Sequence, residues 1–137
     1  MEARLTASPR ALVLVIDDDA RSACLLARML QSDGYNTEVA NDGAIAIARL
    51  TRDPLPDAVV TELHLPLVDG LAVARYAHSR SAEMLIVFVT AHPHALEGPT
   101  SRIGDPWALL TKPLDYTELL ALFAPLSARV AAANTVA

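Results

Sequence analysis

Five polar or charged residues stand at or just beyond the ends of short apolar runs: Asp17, Asp18, Glu62, Thr90 and Lys112. If these runs form parallel strands of one sheet, their carboxyl ends share an edge, which is where binding sites of such sheets form. Three carboxylates brought together raise one another's pKa unless cations intervene. Lys112 offsets one charge, and the remaining charge of about −2 suits a hard divalent cation, most simply Mg²⁺.

Short apolar runs alternate with segments of helical spacing along most of the chain. The first run, residues 11–16, is short, continuous and β-branched, which indicates a strand buried on both faces. Further strands are predicted at residues 37–40, 58–62, 84–90 and 107–111. Five such alternations predict a parallel sheet with helices on both faces, and right-handed crossovers leave few topologies. The predicted fold class is therefore α/β, with a doubly wound five-stranded parallel sheet.

Local signals mark where the intervening helices begin and end. Asp19 and Asp115 are typical N-cap residues, whose carboxylates accept hydrogen bonds from free backbone N–H groups. Pro125 should end or kink the last helix, because proline lacks the N–H that a helix interior needs. Residues 92–106 contain several prolines and glycines, which allow only a short or distorted helix there.

The length of 137 residues suits one domain. We expect a flexible N-terminal arm over residues 1–10, the domain over residues 11–126, and a tail or helix extension over residues 127–137. No internal repeat or low-complexity linker indicates a second domain.

Composition argues against several classes of function. The net charge of −5 disfavours binding to nucleic acid, whose phosphates require clustered Lys and Arg. No apolar run reaches the roughly 18 residues of a membrane span, and no secretory signal is evident. Cys24 is the single cysteine, so no intrachain disulfide can form, and we expect its thiol to pack inside the fold. A cytoplasmic location is the default expectation.

Four segments together resemble the signature segments of response-regulator receiver domains of bacterial two-component systems. They are residues 15–19, 56–70, 89–91 and 111–114, with the sequences VIDDD, PDAVVTELHLPLVDG, VTA and TKPL. Each is weak alone, but four in the right order at the right strand ends are specific. The resemblance covers roughly residues 11–126 and implies a flavodoxin-like (β/α)5 receiver fold.

The resemblance implies a metal site at the predicted sheet edge. In that family the acid pair matching Asp17 and Asp18 holds Mg²⁺, and the backbone carbonyl of the residue matching His64 adds a further ligand. Glu62, at the phosphoacceptor position, would complete the set of protein ligands.

The resemblance also implies a phosphoryl site and a switch. Phosphoryl oxygens in such domains contact the hydroxyl matching Thr90 and the ammonium matching Lys112, and the peptide before the proline matching Pro113 is usually cis. An aromatic residue three positions before the lysine usually moves with the hydroxyl residue. Here Leu109 holds that position, and Trp107 lies two residues earlier on the same face of the strand. Trp107 either replaces the missing aromatic switch, belongs to a partner surface, or is a packing residue.

Glu62 is the main departure from the family, whose phosphoacceptor is an aspartate. Asp57 precedes the strand and Asp69 lies in the turn after it, so neither stands at a strand end facing Asp17. Glutamate carries its carboxylate one methylene further, and a misplacement of about 1 Å can cost about a hundredfold in rate. We therefore predict impaired phosphorylation. Pairing of Glu62 with Lys112 would partly imitate the phosphorylated state, without the three acceptor oxygens of a phosphoryl group.

Two functions from different classes follow from these residues. The favoured one is a non-enzymatic, single-domain response regulator in phosphorelay signalling, which docks on a sensor histidine kinase or a relay protein. The alternative is a metal-dependent hydrolase that uses the cluster of Asp17, Asp18 and Glu62 to activate water, although no cap domain is available to build a substrate pocket. A DNA-binding regulator is not expected, because no output domain follows residue 126.

Histidines and leucines raise two further expectations. His64, His92 and His94 fall in loops at the same edge and could form a transition-metal site with an acid, but their spacing matches no tight ligand motif. We expect His64 and His92 to line the rim of the site instead, and His78 to be a surface residue. Self-association is predicted from apolar residues near the last strand and helix, which are also plausible core positions: Trp107, Leu119, Leu122 and Leu126.

Overall fold

Strands and helices alternate from the first strand to the fourth in the computed structural model, which describes residues 10–93 and 106–135. The described elements are β1 (Leu12–Ile16), α1 (Ala20–Ser32), β2 (Asn36–Ala40), α2 (Gly43–Leu50), β3 (Ala58–Glu62), α3 (Gly70–Arg80), β4 (Leu85–Thr90), β5 (Trp107–Thr111) and α4 (Tyr116–Thr135). The N-terminal arm predicted for residues 1–10 falls almost wholly outside the described residues. Most of the short helix predicted between β4 and β5 also lies outside them.

The five strands form one parallel sheet in the order β2-β1-β3-β4-β5, which confirms the predicted fold class. The register aligns the ends of the inner strands. Ile16 lies opposite Thr61, Glu62 lies opposite Val89, and Thr90 lies opposite Thr111. The residues that follow these strands therefore emerge at one edge of the sheet.

Helices cover both faces of the sheet, and side chains alternate between the two faces along each strand. On one face, Leu14, Val59 and Phe88 pack under α2 and α3. On the other face, Val15 and Val60 pack under α1 and α4. Burial on both sides explains why β1, β3 and β4 are mainly apolar, whereas the edge strand β2 is largely exposed.

An aspartate caps the start of each described helix at the carboxyl edge of the sheet. The carboxylate of Asp19 accepts from Arg21 N at 3.0 Å, and that of Asp42 accepts from Ile45 N at 2.7 Å. Asp69 accepts from Ala72 N at 2.9 Å, and Asp115 accepts from Thr117 N at 3.0 Å. The N-caps predicted at Asp19 and Asp115 are confirmed, and this edge of the domain is rich in carboxylates.

Pro125 was predicted to end or kink the last helix, and it does not end it, because α4 continues through it to Thr135. Pro125 is exposed, whereas Leu119, Phe123 and Leu126 on the inner side are buried. Packing on both sides of the proline offsets the lost backbone hydrogen bond. Residues 127–135 continue this helix, in agreement with the helix extension that was one of the two alternatives predicted for residues 127–137.

Two side chains differ from expectation in their exposure. Cys24 was expected to pack inside the fold, but its thiol is exposed. The buried face of α1 runs through Ala23, Ala27 and Leu30, and one residue is a turn of about 100° around a helix, so Cys24 points away from the sheet. His78 is half-buried rather than a surface residue, and its Nε2 lies 2.8 Å from the Met84 carbonyl oxygen.

Candidate functional site

The carboxyl ends of the strands bring the predicted site residues to one edge. Asp17 follows β1, Glu62 ends β3, Thr90 ends β4 and Lys112 follows β5. The closest side-chain contact among them joins the ends of β3 and β5, where Lys112 Nζ lies 2.5 Å from Glu62 Oε1. The convergence that the sequence predicts is therefore present for Glu62 and Lys112.

Glu62 is held at both carboxylate oxygens. Oε1 pairs with Lys112, while Oε2 accepts from Leu63 N at 2.7 Å and from His64 N at 3.3 Å. The glutamate side chain is 12% exposed and the lysine side chain 39% exposed. The hydrogen bond to Glu62 is the main reason that the pKa of Lys112 is raised, and the carboxylates of Asp17 and Asp18 add to the effect. Lys112 is thus a cation already neutralised by a partner within the chain.

Asp17 borders this pair without forming a close ion pair of its own. Burial raises the pKa of its carboxyl group, opposed by the hydrogen bond from Asp19 N and by the charge of Lys112, while Asp18 and Glu62 raise it further. The bond from Asp19 N to Asp17 Oδ1 measures 2.9 Å. Asp18 is exposed, so the two acids that follow β1 occupy different environments.

Thr90 is fully buried and accepts hydrogen bonds from backbone amides outside its own strand. Its Oγ1 accepts from His92 N at 3.0 Å, and its carbonyl oxygen accepts from Lys112 N at 2.9 Å. The Lys112–Pro113 peptide is cis, as the resemblance implied. Beside this loop the rings of His64 and His92 meet edge to face, with centroids 5.7 Å apart. Both histidines are exposed, so this pair lies on the surface near the site.

The predicted metal site stays a prediction. Within residues 10–93 and 106–135, no group of three or more His, Cys, Asp or Glu residues is placed to hold a metal ion. Both carboxylate oxygens of Glu62 are directed to Lys112 and to backbone amides, rather than toward Asp17. A metal role for the His64 carbonyl stays a prediction. The alternative histidine site includes His94, which lies outside the described residues.

Leu109 and Trp107 lie on the same face of β5, as predicted, and pack against the core under α2 and α3. Trp107 pairs in register with Ile86, and its ring lies 6.2 Å from that of Phe88 in an edge-to-face contact. It stands four residues before Thr111, about 13 Å along the strand. Trp107 is therefore a packing residue at the amino end of β5, and a switch role for it or for Leu109 stays a prediction.

A pocket of about 300 Å³ beside the Glu62–Lys112 pair is a feature that the sequence did not indicate. Its polar lining includes Asp17, Glu62 and Lys112, and its apolar side is formed mainly by α1 and by the segment after β5. Leu25 of α1 is 62% exposed at this place. The gap between α1 and the β5–α4 connection arises only in the folded chain, because its walls come from segments far apart in the sequence.

The apolar residues proposed for self-association do not form one surface. Leu119 and Leu126 are buried under one face of the sheet, whereas Trp107 packs against the other. Leu122 is half-buried. The core interpretation of these residues is therefore the one that the structure supports. Among the described residues, no helix is both long and apolar enough to cross a membrane.

Comparison with known proteins gives a consistent result. The family model described as the response regulator receiver domain matches residues 13–124. Response regulator MprA of Mycobacterium leprae is 36% identical over 109 residues, which cover 80% of this chain and 47% of that protein. The structure of response regulator protein TrrA from Thermotoga maritima, in complex with Mg²⁺ and BeF, has a TM-score of 0.74 at 26% identity and covers 85% of this chain and 98% of that chain. A receiver domain from Clostridium thermocellum shares the fold, with a TM-score of 0.77 at 21% identity over 87% of this chain and 95% of that chain.

The doubly wound parallel sheet, with acids and a lysine at its carboxyl edge, defines the class of flavodoxin-like receiver folds. The chain belongs to the response regulator receiver domain family of two-component signalling. It spans about half the length of the curated relatives that it matches.

Proposed function

We propose that this receiver domain acts by protein contacts that do not depend on phosphorylation, with Glu62 at the phosphoacceptor position of the family. The observation that carries the proposal is the pairing of Glu62 with Lys112 together with the backbone amides of Leu63 and His64. An aspartate would carry the same single charge, so what the longer side chain adds is the position of that charge against Lys112.

The same contacts oppose phosphorylation of Glu62. An acyl phosphate forms when a carboxylate oxygen attacks the phosphorus of a donor, yet Oε1 is occupied by Lys112 and Oε2 by two N–H groups. Attack would first require the ion pair to separate. The added methylene also displaces the oxygens by about 1 Å from an aspartate's position, which is enough to slow a positioned reaction about a hundredfold.

Mg²⁺ binding is proposed to be weak or absent in the wild-type chain. The TrrA structure contains Mg²⁺, so the family fold can accommodate the ion. Here Glu62 Oε1 pairs with Lys112 and Oε2 accepts from the amides of Leu63 and His64, so the ion would compete with these partners for the Glu62 carboxylate. We therefore assign no metal-dependent step to this domain. The hydrolase alternative needs a bound metal to activate water, so the same observation disfavours it, and we propose no enzymatic activity.

The partner that we propose is a sensor histidine kinase or a phosphorelay protein, in keeping with membership of the receiver family. The single-domain organisation stays a prediction, because the curated relatives are about twice as long as the matched region. The cytoplasmic location and the absence of nucleic-acid binding also stay predictions. A homodimer has lost its main support, since Leu119 and Leu126 are buried.

The test compares wild type with Glu62→Asp, and with Glu83→Gln as a control at an exposed acid. Each protein is incubated with Mg²⁺ and acetyl phosphate and read by intact mass. Binding to purified histidine kinases and relay proteins of the source organism is measured in parallel by calorimetry. We expect a gain of one phosphoryl group only in Glu62→Asp, and binding of a partner by unphosphorylated wild type. Efficient labelling of wild type at Glu62 would contradict the proposal, as would a failure of every kinase and relay protein to bind it.

A further inference from the structure

Leu67 combines two unfavourable features in the loop between β3 and α3. Its backbone has φ of +66°, which makes it the only non-glycine residue with positive φ in the described parts of the chain. Its side chain is fully exposed, at 104% of the reference accessibility. Val68 N donates to Pro66 O at 2.7 Å, so Leu67 is the central residue of a three-residue turn.

Neither feature stabilises the isolated domain. A left-handed backbone is strained for a residue with a Cβ and is normally occupied by glycine or asparagine. A fully exposed leucine also gains no free energy from burial. Glycine or asparagine at this position would relieve the strain and remove apolar surface from water. The leucine side chain is therefore better explained by a contact outside the domain.

The turn that presents Leu67 is firmly held on both sides. A Cβ on Gly43 would overlap the carbonyl oxygen of Val68, so the start of α2 packs directly against the turn. Gly70 N donates to Leu63 O at 2.9 Å, which ties the start of α3 to the end of β3. A projecting side chain on a rigid support loses little additional entropy on binding.

Two aspartates are chain neighbours of the residues that form and support the turn. Asp42 precedes Gly43, and Asp69 follows Val68 in the chain. Asp17 is next to this region, because its carbonyl oxygen accepts from Asn41 Nδ2 at 3.3 Å. The complementary surface on a partner is an apolar pocket bordered by lysine or arginine side chains.

We infer that Leu67 is the apolar anchor of a protein-docking surface, and that it inserts into a basic-bordered apolar pocket on the histidine kinase or relay partner. This inference rests on the proposed function and adds the residue through which the partner is recognised. Anchor residues of protein interfaces sit centrally and carry a large share of the binding energy. The backbone strain at Leu67 is then offset in the complex.

The experiment uses the purified kinase or relay protein that binds wild type in the assay above. Leu67→Gly and Leu67→Asn remove the side chain and suit the left-handed backbone, and Val39→Thr is the control at another partly exposed apolar residue, on the edge strand β2. We expect both Leu67 variants to melt at a Tm no lower than that of wild type and to bind the partner about tenfold or more weakly. Val39→Thr should bind as wild type does. Raising NaCl from about 50 to about 500 mM should weaken wild-type binding, because salt screens exposed charges.

Each other outcome has a distinct meaning. Equal affinity of wild type and both Leu67 variants would overturn the anchor role while leaving the proposed function in place. A lower Tm of both variants would assign Leu67 a structural role and overturn the inference. Salt-independent binding would contradict the basic border of the partner pocket. If no kinase or relay protein binds wild type, the proposed function fails and the inference fails with it.

Discussion

The ammonium group of Lys112 lies 2.5 Å from a carboxylate oxygen of Glu62, and this contact joins the ends of two strands that are not neighbours in the sheet. Strand β4 lies between them, with Thr90 buried at its end. The ion pair therefore bridges the carboxyl edge of the sheet across the end of β4. Its consequences for stability and metal binding can be measured separately.

The ion pair should contribute modestly to stability. Glu62→Gln keeps an acceptor for the backbone amides of Leu63 and His64 but removes the charge that faces Lys112. We expect the free energy of unfolding to fall by about 1 kcal/mol, since the lysine is partly exposed and the pair is screened by solvent. Urea unfolding followed by circular dichroism measures the change.

Glu83→Gln is the matched control for that measurement. Glu83 Oε2 lies 3.8 Å from Arg129 Nη1 and its side chain is 87% exposed, so the control should change the unfolding free energy by less than about 0.5 kcal/mol. A more stable Glu62→Gln would mean that repulsion among the carboxylates outweighs the attraction to Lys112.

Mg²⁺ should stabilise Glu62→Asp more than wild type. A shorter carboxylate reaches less far toward Lys112, which leaves an oxygen available beside Asp17 for a hard cation. If the variant binds Mg²⁺ with a Kd of about 1 mM, then about 10 mM of the ion adds about 1.4 kcal/mol of stability. Thermal unfolding with and without MgCl₂ reads the difference, and NaCl at matched ionic strength corrects for screening. An equal rise of Tm in both proteins would refute the proposal of weak or absent metal binding.

Arg49 should be a major contributor to the stability of the region beside β2. Its side chain is 7% exposed and pairs with Glu38, and it donates to Arg52 O at 3.1 Å and to Pro54 O at 2.6 Å. Arg49→Ala leaves these acceptors without a donor, so we expect a loss of about 2–4 kcal/mol in the free energy of unfolding. Chemical denaturation measures it, with Arg52→Ala, an exposed side chain, as the control. A loss below about 1 kcal/mol would show that water replaces the guanidinium.

Gly43→Ala should disturb the turn that carries Leu67. The new methyl group would overlap the Val68 carbonyl oxygen, so either the turn or the start of α2 must move. We expect a loss of about 1–3 kcal/mol in stability and altered amide chemical shifts in residues 66–69. Gly34→Ala is the control, since that position has open space but a φ of +96°. It should lose about 1 kcal/mol from backbone strain without changing the shifts of the turn. Unchanged shifts in Gly43→Ala would show that the contact is easily relieved.

Local chemistry explains most of the fold predictions that succeeded. Strand β1 is apolar at every position because both its faces are buried, and that signal is visible without any tertiary information. Asp19 and Asp115 marked helix starts because a cap depends on only three or four consecutive residues. The placement of Glu62 and Lys112 at one edge also followed from the sequence, since parallel strands with helical crossovers fix which strand ends meet.

The failures concern side-chain direction and packing between distant segments. Cys24 is exposed because it lies one position, about 100° around the helix, from the buried Ala23 of α1. The continuation of α4 through Pro125 depends on the core contacts of Leu126. The metal site expected of Asp17, Asp18 and Glu62 stays a prediction, because it depends on where the carboxylate oxygens point and not only on their proximity.

The sequence by itself determined the order of strands and helices, the edge where the polar residues gather, and the presence of glutamate at the end of β3. The tertiary structure alone decided that Glu62 turns to Lys112 and to two backbone amides, and that Leu67 projects from a left-handed turn held against Gly43. The physical reason is that patterns of burial and capping act over a few residues, while hydrogen-bond direction and close backbone contacts depend on groups that are far apart in the chain.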